Sequence, residues 1–152
     1  METRRPALVS LLLSAGARIG SGLVTMAVKL SGYITGQEIA FLLIHHGADV
    51  RDVDQEDNKS VLSWAVFVNN YELTEELLRV GADPWAVSGH ILETASGDIK
   101  HLIDETRFKV PNLELLCNRS IRNALLQSNS RSSFHQKLRQ LHLPPKLLNT
   151  IL

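Results

Sequence analysis

The chain is poor in the features that usually announce a chemistry. A single cysteine, Cys117, stands among 152 residues, which fits a reducing compartment better than a disulfide scaffold. Sixteen basic residues balance sixteen acidic ones. That balance, with the basic residues scattered rather than aligned, supplies no field for a phosphate backbone and argues against a nucleic-acid partner. The apolar stretches are far short of a bilayer span, which argues against a membrane protein. Glycine offers only Gly20-Ser21-Gly22, without the preceding strand and following acidic residue that a dinucleotide site needs.

Catalytic and metal constellations are equally sparse. Cys117 could be paired with His101 or His135 as thiol and base, yet nothing in the spacing places them together. Its apolar neighbours at four-residue intervals favour a buried packing role. His45 and His46 are adjacent at a helix end and point to different sides rather than to one metal; His90 and His142 form no cluster with them. The acidic pairs Glu56-Asp57 and Glu75-Glu76 fit a hairpin and an exposed helix face, where charges are ordinarily solvated. The expectation is a protein that is not an enzyme and holds no cofactor or metal.

What is present is repetition. An apolar helix ending in Gly-Ala occurs three times: Leu11-Leu12-Leu13-Ser14-Ala15-Gly16-Ala17, Leu42-Leu43-Ile44-His45-His46-Gly47-Ala48, and Leu77-Leu78-Arg79-Val80-Gly81-Ala82. The three glycines lie 31 and 34 residues apart, and each supplies the left-handed residue that ends a helix. In the third unit, Ser60-Val61-Leu62-Ser63-Trp64-Ala65-Val66 forms a preceding helix, and Asn69 occupies the turn between the two because Asn tolerates positive φ. Leu23 to Val28 fits a first helix of the second unit, with a lengthened turn from Lys29 to Ile34. A degenerate fourth unit runs from Ile91 to Asp104. Met1 to Ser14 supplies only one helix, so Leu8, Leu11 and Leu12 lack a covering neighbour and predict an exposed leucine face. The reading is of a shortened N-terminus.

After these units comes Leu113-x-x-x-Cys117-x-x-x-Ile121-Arg122, a helical stripe widened by Leu116 and Ala124, with Glu114, Asn118, Arg119, Arg122 and Asn123 on the remaining positions. Residues four apart stack on one face, which gives an amphipathic helix that buries one face against something else, the rest of this protein or another subunit. A Ser/Asn loop with a capping Ser precedes Phe134, Leu138 and Leu141, the apolar face of a second helix. Leu143-Pro144-Pro145 then forces a break before a last short helix.

The repeat, with its period near 33, resembles the ankyrin repeat. The C-terminal pairing of Leu-x-x-x-Cys-x-x-x-Ile with a later Leu-Pro resembles a SOCS box, and the two together are similar to the ankyrin repeat and SOCS box family over nearly the whole chain. The resemblance implies an all-α fold: a short ankyrin solenoid of about three units over residues 1–108, then a three-helix SOCS box over 109–152. It implies an adaptor subunit of an elongin B/C–cullin–RING ubiquitin ligase. On it, Leu113, Leu116, Cys117 and Ile121 would dock elongin C, with elongin B beside it. Leu143, Pro144 and Leu147 would face a cullin, usually cullin-5 with its RING protein. The ankyrin face would hold a protein substrate, with Arg51, Asp54, Glu56, Asn58 and Trp85 as contact candidates and Trp64 more suited to the core.

The chain departs from the family at Asn118, where Arg is usual, at Pro145-Lys146 in the cullin segment, and at Thr150-Ile151, where an aromatic is usual. Arg4-Arg5 and the apolar run to Leu13 imitate a secretory signal, but the same residues fit an ankyrin helix, and a cytoplasmic protein is expected. Two alternatives remain: an ankyrin scaffold without ligase function, or a shortened form that binds elongins without a substrate.

Overall fold

Helix pairs joined by tight turns account for most of the chain in a computed structural model, which describes residues 4–32, 34–54, 56–128, 133–145, 148 and 151. The described residues form nine α-helices and one 3-10 turn with no named strand: α1 (Arg4–Ser14), α2 (Leu23–Lys29), α3 (Ile34–His45), α4 (Val61–Phe67), α5 (Tyr71–Val80), the 3-10 turn (Pro84–Ala86), α6 (Gly89–Thr94), α7 (Gly97–Phe108), α8 (Leu113–Gln127) and α9 (Phe134–Gln140). The protein is all-α. No helix among these residues is long and apolar enough to cross a membrane.

The helices lie in two rows. α2, α4 and α6 pack on one another in sequence, α1, α3, α5 and α7 form the second row, and α2–α3 and α4–α5 bridge the rows. One continuous core runs through both, built from Val28, Ile44, Leu62, Leu73, Leu77, Ile99 and Ile103, each essentially inaccessible to solvent. This is the burial that the i, i+3, i+4 leucine spacing demands.

Short polar residues set the helix boundaries. Ser60 begins α4 by accepting the Ser63 N–H at 3.1 Å, and Asn70 begins α5 by accepting the Leu73 N–H at 3.1 Å, each satisfying a donor that the first turn leaves free. Asn69 adopts the expected positive φ of 59°. Its side chain also accepts the Ser96 N–H at 2.8 Å, so the turn residue ties its own unit to the next. Before α4, Val53 and Ser60 make an isolated antiparallel bridge. Asp52 reaches from this loop to accept the Gly22 N–H at 2.5 Å, giving the Gly20-Ser21-Gly22 segment a structural role at the start of α2.

The C-terminal segment forms a second, smaller cluster. Phe134, Leu138 and Ile151 are buried there, with Ile121, Leu125, Leu126, Leu143 and Leu148 packed around them. Ser133 opens α9 with a reciprocal cap to Gln136, as its position before Phe134 predicts. The last short helix expected after Pro145 falls mostly on residues outside the described set.

Candidate functional site: the outward face of α8

α8 begins where Pro111-Asn112 follows the end of α7, and the Asn112 side chain accepts the Leu115 N–H at 2.8 Å. The amphipathic pattern predicts an apolar stripe covered either by this protein or by another subunit. In this chain the near end of the stripe is left open, and the one fully buried residue of α8 is Arg122, at 3% exposure.

Two arginines one turn apart hold the opposite face of α8 to the stack. Arg122 donates to the Ile44 carbonyl in the last turn of α3 and to the Ile151 carbonyl at 3.3 Å. Arg119 donates to the Leu78 carbonyl in the last turn of α5 at 2.6 Å. A helix C-terminus presents carbonyl lone pairs and the negative end of its dipole, and so attracts a cation. Ile44 and Leu78 are 34 residues apart, as are Gly47 and Gly81, so the two arginines reach equivalent points on successive units. Burial pushes the Arg122 pKa down to about 10, the nearby Arg79 adding repulsion while Glu76 and Asp49 oppose it. At neutral pH the guanidinium keeps its charge.

The two helix-ending glycines make the approach possible. A Cβ on Gly47 would sit 2.4 Å from Cγ of Phe134, and one on Gly81 would sit 3.2 Å from Cγ of Arg119. Their positive φ values of 86° and 109° are what the sequence signals. The contact with the C-terminal segment is not, because a helix-ending glycine carries the same signature whether or not anything packs on it.

With Arg119 and Arg122 turned inward, α8 leaves the first part of its apolar stripe outward, while Leu125 and Leu126 pack toward Phe134. Leu113 is 77% exposed and Leu116 46%, and the Cys117 thiol is free and exposed. The expectation of a buried Cys117 is therefore corrected for the chain by itself. Ile121, the last residue of the stripe, is half-buried against the Phe134 cluster, since the stripe drifts around the helix toward α9. Leu143 is also half-buried in that cluster and Pro144 is exposed, while Leu147 lies outside the described residues.

The substrate-contact candidates sit on the loops before α4 and α6. Arg51 is exposed and held by Asp49 at 3.1 Å. Asp54 pairs with Lys29 and accepts the Glu56 N–H at 3.0 Å. Its hydrogen bond from Lys29, aided by that from Glu56, holds its carboxyl below the usual carboxylate range. Glu56 and Asn58 are exposed, Asn58 with a φ of 51°. Trp64 is half-buried beneath the Lys29 and Lys59 ammonium groups, 4.5 and 4.6 Å from its ring. Trp85 is 62% exposed, edge-on to Phe108 at 6.0 Å and under the Arg107 guanidinium at 5.1 Å. Of the two tryptophans, Trp85 is the accessible one.

Three polar side chains behave differently from the sequence reading. Glu76 is not simply solvated: burial alone would raise its pKa, but hydrogen bonds from His45 and Arg79 outweigh this and hold it at about 2. His46 and His135 bring their rings to 4.4 Å across the joint between α3 and α9. Burial, and repulsion between neighbouring imidazoles, lower both. No group of three or more His, Cys, Asp or Glu among the described residues could hold a metal ion. No family model, curated protein or solved structure matches the chain.

Proposed function

We propose that the chain is a substrate-recognition adaptor of an elongin B/C–cullin–RING ubiquitin ligase, with an ankyrin-type stack over residues 1–108 and a SOCS box over 109–152. The observation that carries the reading is the outward face of α8: Leu113, Leu116 and Cys117 stand open at the spacing of the elongin-binding motif. A soluble helix that spends its arginines on its own protein and leaves its leucines in water fits a helix built to be covered by another subunit. Each large anchor, once fully buried, contributes about 1.5–3 kcal/mol, so a few can dominate the affinity. Ile121 supports the ridge from the edge of the Phe134 cluster.

The repeat stack, in this reading, holds a target protein through the loops that carry Arg51, Asp54, Glu56, Asn58 and Trp85. Cullin-5 with its RING protein approaches the segment around Leu143, Pro144 and Leu147. The chain performs no bond chemistry. It raises the local concentration of target lysines at the ubiquitin-charged enzyme, an effect of tethering and orientation. The compartment is cytoplasmic.

One observation favours a second reading. Arg119 and Arg122 fasten α8 to the ends of α5 and α3, as they would if the C-terminal helices served only to cap a scaffold. Coexpression with elongins B and C followed by size exclusion separates the two. An adaptor comigrates with both elongins, and Leu113→Ala with Cys117→Ala abolishes comigration while the chain stays folded. A scaffold elutes without them.

A further inference from the structure

A cleft of about 600 Å³ opens where the stack meets the C-terminal segment. Four stretches of chain wall it: the end of α1 with the loop after it, the end of α3 at His46 and Gly47, the last turn of α8, and the start of α9. Its size falls within the roughly 300–1,000 Å³ of small-molecule sites, and a joint between packed units is where such sites commonly lie.

The lining is of two kinds. Ile19, Leu125, Leu126 and Phe134 give it apolar walls, the first three of them only half-buried. Arg18 and Lys137 carry its charge, and no acidic residue lines it. Burial lowers the His46 pKa, so that ring adds no charge at neutral pH.

Lys137 is half-buried, and its ammonium donates to the Leu125 carbonyl at 3.1 Å and to the Ser128 carbonyl at 2.8 Å. These bonds fix the cation at the end of α8 and leave one of its three N–H groups over. Neither Lys137 nor Arg18 forms an ion pair with a carboxylate among the described residues. A partly desolvated cation without a counter-charge favours an anion beside it. A bare inorganic anion would answer the cations and leave the apolar walls in water, and a neutral apolar molecule would do the reverse.

We propose that the cleft binds a small amphipathic carboxylate, its anionic end answering Lys137 and Arg18 and its hydrocarbon body lying along Ile19, Leu125 and Leu126. Because the walls come from both the stack and the C-terminal segment, the bound molecule links the two and stabilises the docked position of α8 and α9. The proposal uses no residue of the outward face of α8 and does not depend on the ligase reading.

Amide NMR of the full chain titrated with octanoate tests it, with 1-octanol as the same body without the charge and acetate as the charge without the body. Octanoate should bind saturably at one site, shift amides within 16–19, 46–47, 125–128 and 133–137, and slow hydrogen exchange in α8 and α9. 1-Octanol and acetate should each bind at least about tenfold more weakly. Arg18 is exposed and has no described partner, so Arg18→Glu should weaken octanoate by about tenfold with the fold unchanged. Lys137→Gln should weaken it similarly, while Lys137→Arg retains binding. Leu11→Ser, on the exposed face of α1, should leave it unaltered. Absence of a saturable shift, 1-octanol binding as tightly as octanoate, shifts centred on Leu8, Leu11 and Leu12, or wild-type affinity in Arg18→Glu would overturn the proposal.

Discussion

The stack and the C-terminal segment are held by different physics. In the stack, leucine, isoleucine and valine from both rows interlock in a core with little access to water, and removing any of them leaves a cavity. The joint between the stack and α8 is largely polar: two guanidinium groups on helix-end carbonyls, beside one ring, Phe134, pressed on Gly47. A polar joint of this kind leaves the apolar side of α8 unspent. The difference teaches that the face available for a partner is set by where the arginines go.

The comparison breaks most readily from the stack side. Leu77→Ala, at a position with no solvent exposure, should lower the unfolding free energy by about 2–5 kcal/mol. In a urea titration, helical signal and α8 exchange protection should disappear together, because the segment has nothing else to dock on.

Acid weakens both regions, in two windows. His46 and His135 sit at the joint with pKa values lowered by burial. The unfolded chain therefore binds protons that the folded one refuses, and stability falls as pH drops below the ordinary imidazole value of 6.5. Glu76 contributes in full above the ordinary glutamate value of 4.5, and that contribution is lost as pH falls toward its folded value of about 2. The loss is on the order of 3 kcal/mol. Urea midpoints measured from pH 7.5 downward should show an early, shallow decline followed by a steeper one, and Glu76→Gln should flatten the second.

Glycine substitutions sharpen the contrast. Gly47→Ala meets both a positive φ of 86° and the Phe134 ring, and should cost about 2 kcal/mol or more. Its hydrogen-exchange signature would be lost protection in α8 and α9 ahead of α3. Gly16→Ala has a similar φ of 91° but nothing within 4 Å, so only the backbone penalty of about 1–2 kcal/mol applies. Arg122→Met removes hydrogen bonds to a charged donor but fills the same space. The expected cost is about 1–2 kcal/mol, confined to the joint.

Much of this architecture is legible in the residues. The Gly-Ala endings at Gly16, Gly47 and Gly81 mark the ends of α1, α3 and α5, Asn69 marks a turn, Ser133 marks a cap, and the unpaired Leu8, Leu11 and Leu12 mark an exposed face. Periodicity alone leaves open whether the stripe of α8 faces the stack or a partner, because it cannot weigh a guanidinium against a helix-end carbonyl. The acceptors for Arg119 and Arg122 lie 41 and 78 residues away. One signal was present: arginines three apart beside glycines separated by a repeat length. Ile121 and Leu143 read as open anchors, yet they half-bury against Phe134, a contact that exists only once α9 folds back on α8.

The lone cysteine gives the most direct test. Because Cys117 is the single thiol, maleimide labelling of the native chain reports one position on the outward face of α8. The account predicts rapid modification of the free protein, at a rate near that of the denatured chain, and strong protection once elongins B and C are added. A thiol that reacts only after denaturation, or one that stays fully reactive with saturating elongins, would contradict it.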